Sequence, residues 1–243
     1  MFPLSHIYVA TKVAERENGL LILGSVIPDL AWYSTPLRGV LHNEPKEFWS
    51  FIKEKYPDFL DLALGVRLHS QIGKGADYYS DDEETGFAKV NGRKILKEVA
   101  AAFDIEEGQQ ALALSHNFIE AAVDLHLREK FPSIVRMYQE AIDSGMVGKV
   151  AAILSEYFKK DVSLVEDELN KLFAFFGPEN VSSRIGVCSN AVVPYLEKVL
   201  DKKLNFDQIL NVLDQSLALT KDSFMTFLGG TIRQMRVGFK NMV

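Results

Sequence analysis

Apolar residues recur along most of the chain with the spacing of an amphipathic α-helix. Residues 4–16 show this pattern, and Asn18-Gly19 supplies a stop signal. The apolar run 20–27 fits either a helix or a buried strand, and we favour a helix because the sequence offers no second strand to pair with it. Further helices are predicted over 46–54, 57–72, 90–103, 106–129, 133–143, 146–158, 162–176, 179–200, 205–219 and 221–240. The sequence therefore predicts an all-α fold.

Interruptions of the helical pattern predict loops. Residues 33–46 form a predicted loop that holds Arg38 and His42, since proline, glycine and asparagine break the apolar spacing there. The acidic segment 80–86 is predicted to be a solvated loop in preference to a cation-binding loop. Gly229-Gly230 predicts a kink or a break in the last helix.

The sequence contains no segment with the composition of a linker, and this favours one domain over two. Gly177-Pro178 is the best candidate boundary, but neither linker composition nor an internal repeat supports a division. We predict a single all-helical domain over 1–243, with a half at 1–130 that carries the candidate metal ligands and a histidine-free half at 131–243.

Composition limits the classes of function. The formal net charge of -6 argues against a general nucleic-acid-binding surface, so no stable nucleic-acid partner is expected. The single cysteine, Cys188, excludes an internal disulfide framework and is expected to be a small buried residue. The N-terminus lacks signal-peptide features, and the apolar run 20–27 is too short to span a bilayer. We expect a soluble, cytoplasmic protein without a transmembrane segment; the sequence leaves its oligomeric state open.

The predicted helix at 106–129 carries polar side chains that are costly to bury without partners. Residues four apart share one side of a helix, so His116 and Glu120 can point at one cation; Asp124 follows one turn later, and His126 lies on a different face. An imidazole and a carboxylate at this spacing supply half of a zinc site. The alternative is a buried polar pair that satisfies itself.

All five histidines lie in the first half of the chain, at His6, His42, His69, His116 and His126. A catalytic zinc site uses neutral imidazoles and carboxylates, and it leaves one position for water, whose pKa falls toward about 7. Such clustering makes these histidines candidate ligands.

Three basic residues are candidates for holding phosphate oxygens: Arg38, Arg67 and Lys74. Arg38 belongs to the predicted loop, and the other two flank His69. A charged, solvated rim explains these cations equally well.

Six residues follow one another in a recognisable order: a histidine near the N-terminus, an aspartate at a helix end, a histidine on a following helix, and a His-x3-Glu-x5-His helix. They are His6, Asp29, His69, His116, Glu120 and His126. This order covers residues 1 to about 130 and resembles that of the zinc-dependent phospholipase C and single-strand nuclease family, including its bacterial phospholipase-C-like members. The resemblance implies an all-helical fold with two metals bridged by Glu120. The first metal is held with Asp29, His69 and His116, and the second with His6.

The chain departs from the secreted members of that family. It begins with Met1, where those proteins use an N-terminal tryptophan as a ligand, and no histidine follows His126. Glu120 stands where aspartate is usual. One or two metals are therefore expected, in place of three.

Two other resemblances extend the ligand set. Leu23-Gly-Ser-Val-Ile-Pro-Asp29 followed by Arg38-Gly-Val-Leu-His42 is similar to a pattern of small metal-dependent hydrolases, which would add His42. Gly65-Val-Arg-Leu-His69 with Asp77 resembles the acyl-carrier-protein phosphodiesterases, which are also helical, and would add Asp77. All three resemblances imply a metal-bound hydroxide that attacks a phosphoester.

We therefore predict a metal-dependent, phospholipase C-like hydrolase acting on a phosphodiester or phosphomonoester, with a small or phospholipid-like substrate. Asp124 or Asp77 is the predicted general base, and the basic residues stabilise the phosphoryl oxygens. Mixed histidine and carboxylate ligands suit zinc first, and also manganese, iron or nickel. Two rival hypotheses are a non-catalytic helical protein with a structural metal and a helical interaction module whose histidines are incidental.

Overall fold

The computed structural model describes residues 2–30, 37 and 39–239, and all regular secondary structure in these residues is helical. Short 3-10 helices cover Ile27–Asp29, Pro57–Phe59 and Arg93–Ile95, and a π-helix covers Val187–Val192. The α-helices are α1 (Pro3–Ala14), α2 (Gly19–Val26), α3 (Val40–Asn43), α4 (Pro45–Lys55), α5 (Leu60–His69), α6 (Ala76–Asp81), α7 (Phe87–Gly92), α8 (Leu96–Phe103), α9 (Gln109–Lys130), α10 (Ser133–Asp143), α11 (Val147–Phe158), α12 (Val162–Phe175), α13 (Pro178–Val181), α14 (Arg184–Gly186), α15 (Val193–Leu200), α16 (Phe206–Thr220) and α17 (Phe224–Phe239). The predicted all-α class is confirmed.

Local sequence signals set several helix ends. Pro3 occupies the first turn of α1, where its missing N–H costs nothing. Asn18 caps α2, because its side-chain oxygen accepts a hydrogen bond from the Leu21 N–H at 2.9 Å. The apolar run that also fitted a strand is thus a helix, as predicted.

Two predicted loops are partly helical. Helix α3 lies inside the predicted loop 33–46 and carries His42. Ser80 and Asp81 end helix α6 and are not part of a solvated loop; the Ser80 side chain is buried, and Asp81 is only partly exposed. The density of acidic residues at 80–86 favoured a solvent-exposed loop, but the first two residues of this segment face the protein interior.

The last part of the chain departs from the predicted helices. Residues 179–200 are divided into α13, α14, the π-helix and α15, and Ser183 begins a new turn by accepting a hydrogen bond from the Gly186 N–H at 2.9 Å. Gly229-Gly230 do not end the last helix, which runs through them as α17. Buried Leu228 and Met235 anchor this helix on the core, so packing outweighs the low helix propensity of glycine.

Helices α2 and α5 cross with their backbones in contact. A Cβ atom at Gly24 would lie 2.1 Å from the carbonyl oxygen of Leu62, and one at Gly65 would lie 2.5 Å from that of Leu21. Only glycine permits this approach. The crossing fixes the two chain segments that lead to Asp29 and His69.

One hydrophobic core joins the two halves of the chain. It contains Leu23 and Ile119 from the first half together with Leu154 and Leu213 from the second. Cys188 is buried in the same core, as predicted. Among the described residues, no helix has the length and apolar character needed to cross a membrane.

Candidate metal centre

Five side chains from separate parts of the first half form a buried group, which we call the histidine–aspartate cluster: His6, Asp29, His42, His69 and Asp77. Asp77 lies at its centre, because its Oδ1 atom is 3.2 Å from His6 Nε2 and its Oδ2 atom is 3.1 Å from His69 Nε2. Asp29 Oδ1 is 3.6 Å from both His42 Nε2 and His69 Nε2. The ligand atoms converge at the spacing of a divalent cation site.

The ring of His69 is held in a fixed orientation. Its Nδ1 atom lies 2.7 Å from the carbonyl oxygen of Ser25, and because this oxygen can only accept a hydrogen bond, Nδ1 carries the proton and donates. This arrangement leaves the lone pair on Nε2, which points into the cluster. The His69 ring also stacks on His6, with ring centroids 3.6 Å apart. A hydrogen bond to the distal nitrogen is the usual support of a metal-ligating histidine.

The short helix α3 is tied to the end of α5 beside the cluster. The hydroxyl of Ser70 donates a hydrogen bond to the carbonyl oxygen of His42. His42 Nδ1 lies 3.5 Å from Asp77 Oδ2, and its side chain is 21% exposed, the largest exposure in the cluster. His42 is therefore the member that joins the cluster to the open pocket.

Burial and neighbouring charges set the protonation of the cluster. Burial and the adjacent His69 lower the pKa of His6 to about 3, so this imidazole is neutral near pH 7. Burial alone would raise the pKa of Asp77, but the neighbouring imidazoles hold it well below its usual value. Neutral imidazole and ionised carboxylate are the forms that bind metal.

A second group, which we call the carboxylate triad, consists of Asp81, His116 and Glu120. Helix α9 supplies His116 and Glu120 at the predicted spacing of four, and α6 supplies Asp81. The Ser80 hydroxyl donates a hydrogen bond of 2.7 Å to Glu120 Oε1. The ligand atoms of the three residues lie within 4.8 Å of one another.

The triad concentrates negative charge in a buried place. Burial and the nearby Glu120 raise the pKa of Asp81 to about 8, so the two carboxyl groups share a proton at neutral pH. Burial lowers the pKa of His116 to about 4, which keeps this imidazole neutral. A divalent cation would replace the shared proton and neutralise the pair.

Two buried carboxylate oxygens of these groups have no hydrogen-bond partner: Asp29 Oδ2 and Asp81 Oδ1. Such atoms are rare in folded proteins, because each costs free energy when it is left unsatisfied. A cation satisfies carboxylate oxygens and imidazole nitrogens together. The donor set fits zinc, manganese, iron or nickel.

Both groups face one pocket with a volume of about 730 Å³, which includes the part that opens to solvent. Asp29, His42 and Asp77 line it from the histidine–aspartate cluster, and all three members of the triad line it as well. Its remaining walls are mostly apolar. An open pocket between two groups of candidate ligands resembles a catalytic centre more than a closed structural site.

No protein family, curated protein or solved structure matches this chain. The family resemblances inferred from motif order therefore remain predictions. The structure also groups the residues differently from the first resemblance: His116 and Glu120 join Asp81, whereas Asp29 and His69 join His6. His42 and Asp77, which the other two resemblances added, belong to the histidine–aspartate cluster.

Two predicted site residues on α9 lie elsewhere. His126 Nε2 is 3.0 Å from the carbonyl oxygen of Leu217, and its ring stacks on Phe224 at 5.0 Å. Asp124 accepts hydrogen bonds from the Leu4 N–H and Ser5 N–H at 2.7 and 2.8 Å and from the Ser5 hydroxyl. Helix α9 therefore points His126 at helix α16, and Asp124 caps helix α1; neither lines the pocket.

Two of the three predicted phosphate-binding residues are also placed away from the pocket. Arg67 lies over the ring of Trp49 at 5.1 Å, and Lys74 lies over the ring of Tyr78 at 5.3 Å. Neither lines the pocket. Arg38 lies outside the described residues.

Asp81 is the functional candidate that sequence reasoning missed. The signal was available, because Asp77 and Asp81 are four residues apart and share one face of a helix. The surrounding acidic residues concealed it by suggesting a solvated loop.

Proposed function

We propose that this protein is a metal-dependent hydrolase of phosphoesters, with one divalent ion held by the histidine–aspartate cluster and a second by the carboxylate triad. The observation that carries the proposal is that both groups, built from imidazoles and carboxylates, face the same pocket. Zinc is the first expectation, with manganese, iron or nickel as alternatives.

The open pocket favours catalysis over a purely structural metal. A structural ion is enclosed by protein ligands, whereas a catalytic ion keeps one position accessible to water or substrate. His42 is partly exposed at the pocket, and Asp81 and Glu120 line it from the opposite group. Substrate therefore reaches both groups from one side.

The residues have separate roles in the proposed reaction. Bound metal supplies Lewis-acid stabilisation of the phosphoryl oxygen and lowers the pKa of water. The Ser25 carbonyl fixes the tautomer of His69, and Asp77 holds His6 and His69 in register. Asp81 and Glu120 line the pocket and would hold the second metal together with His116, whereas Asp124 does not line the pocket and receives no general-base role.

Hydrolysis of a diester forms one P–O bond to water and breaks one P–O bond to the leaving alkoxide. The attacking water loses one proton and the leaving oxygen gains one, so the protons balance as well. The products are a monoester and an alcohol, so no further reactant is needed.

The first experiment is elemental analysis of the purified, untagged protein beside His69→Ala, His116→Ala and His126→Ala. We expect metal in the wild type, a partial loss in each of the first two variants, and wild-type content in His126→Ala, which removes a histidine of the same helix outside the pocket. Phosphodiesters and phosphomonoesters are then screened with the metal-loaded wild type.

A folded wild type that binds no zinc, manganese, iron or nickel would reject the proposal and favour the helical interaction module. Metal binding without hydrolysis of any phosphoester would favour the structural-metal protein.

A further inference from the structure

The pocket is lined by two unlike sets of residues. Members of the histidine–aspartate cluster and of the carboxylate triad form the polar set, and all of them belong to the first half of the chain. The histidine-free half contributes four apolar side chains, which we call the apolar wall: Phe175, Phe176, Val192 and Leu196. The second half of the chain therefore contributes to the pocket as well as to the core.

Aromatic contacts hold part of the apolar wall against the element that bears His6. The rings of Phe175 and Phe176 meet edge to face at 4.9 Å, and Phe176 meets Phe2 in the same way at 5.3 Å. Phe2 directly precedes helix α1, which carries His6, and it also lines the pocket. The wall is thus fixed in position relative to the cluster.

The other part of the wall comes from an irregular stretch of helix. Val192 ends the π-helix and Leu196 follows four residues later in α15, so both lie on one face. Pro194 has no N–H to donate to the carbonyl four residues before it, which disfavours a regular α-helical turn here. The wide turns of π-helices occur often at functional sites.

Charge limits what the pocket can accept. Among the described residues that line it, none is lysine or arginine, whereas four are carboxylates: Asp29, Asp77, Asp81 and Glu120. The metals are balanced by these carboxylates, so a phosphomonoester dianion gains no additional ion pair from the described lining residues. A phosphodiester carries one negative charge and presents a second substituent.

We propose that the histidine-free half sets substrate selectivity: the apolar wall binds an apolar ester substituent of a phosphodiester monoanion. This inference rests on the proposed hydrolase function. Phe175 and Phe176 are specificity-determining residues, and they act by removing the apolar substituent from water beside the metal groups.

The test uses the metal-loaded, full-length protein and a series of 4-nitrophenyl alkyl phosphodiesters with methyl, butyl and octyl groups. Their leaving group is constant, so only the alkyl contact changes. We expect kcat/KM to rise up to about fourfold for each added methylene until the alkyl chain covers the apolar wall. Phe175→Ala should flatten this dependence, because it lowers kcat/KM more for the octyl ester than for the methyl ester.

Phe158→Ala is the matched control, because Phe158 is also half-buried and aromatic but does not line the pocket. We expect it to retain the dependence on chain length. An unchanged dependence in Phe175→Ala, or faster hydrolysis of the monoester 4-nitrophenyl phosphate than of the octyl diester, would overturn the inference while leaving the hydrolase function intact.

A binding measurement tests the apolar wall independently of whether the protein hydrolyses phosphoesters. Methyl and octyl esters of methylphosphonic acid are monoanions that resist hydrolysis, and calorimetry reports their affinities directly. Tighter binding of the octyl ester, reduced in Phe175→Ala and kept in Phe158→Ala, supports the apolar wall even where no ester is hydrolysed. Equal binding of the two esters by the wild type contradicts it.

Discussion

The two ends of helix α9 carry the same residue types and have different roles. Near its beginning, His116 and Glu120 turn toward the pocket and join Asp81. Near its end, Asp124 holds the first turn of α1, and His126 contacts the Leu217 carbonyl. The comparison shows that a histidine or carboxylate on a helix acquires its role from the element packed against it.

Asp124 illustrates how a buried carboxylate supports a site that it does not line. It accepts hydrogen bonds from two N–H groups at the start of α1, which have no partner within that helix. Burial raises the pKa of Asp124 to about 7, although these hydrogen bonds favour the ionised form. Its contact residues Leu4 and Ser5 directly precede His6, so Asp124 is a positioning residue for the histidine–aspartate cluster.

The largest contrast between the two ends of the helix is expected for Glu120→Gln and Asp124→Asn. Glu120→Gln should lose the metal of the triad, because an amide oxygen is a weaker ligand, and should change the stability of the metal-free protein by less than about 1 kcal/mol, because the proton on Asp81 already relieves the repulsion between the two carboxyl groups. Asp124→Asn should retain that metal and lose about 2 to 3 kcal/mol, because an amide cannot accept all three hydrogen bonds. Elemental analysis and urea unfolding of the metal-free protein measure both effects.

Ser5→Ala controls for the smaller loss of one hydroxyl donor to Asp124. Equal loss of metal from Glu120→Gln and Asp124→Asn would show that the two ends of α9 do not differ as we infer.

A smaller difference is expected in the acid stability of the metal-free protein. The pKa of His116 is lowered from 6.5 to about 4, so between these values the unfolded chain binds a proton that the folded protein does not. Stability should therefore fall as the pH decreases from 6.5 through 4. His116→Gln should remove about 2 kcal/mol of the loss between pH 7 and pH 5.

The measurement is the free energy of unfolding in urea at a series of pH values. His126→Gln controls for removal of a histidine from the other end of the same helix. An acid dependence that is identical in His116→Gln and in the wild type would contradict the buried, neutral state of His116.

The smallest effects are expected at the two basic residues that lie away from the pocket. Arg67→Ala and Lys74→Ala each remove a cation–π contact, which is worth about 0.5 to 1 kcal/mol at exposed positions. We expect their kcat/KM values on a phosphodiester to stay within about twofold of the wild type. A tenfold loss of kcat/KM in either variant would show that the substituted residue contributes to substrate binding after all.

The helical part of the fold was predictable because helix signals are local. Helix α10 has the predicted bounds 133–143, and α9 differs from the predicted range by a few residues. The segment 179–200 was predicted less well, because its division depends on Ser183 and Pro194 and on packing that periodicity does not report.

The sequence by itself determined the helical class, most helix boundaries and the shared face of His116 and Glu120, because these depend on contacts between residues a few positions apart. Only the tertiary structure decided that Asp81 completes the triad, that His42 and Asp77 join His69, and that Asp124 and His126 serve other elements. Those assignments depend on which helices pack against each other in the folded protein. The pairing of helices is set by long-range contacts, such as the glycine-mediated crossing of α2 and α5. The spacing of residues along the chain does not specify this pairing directly.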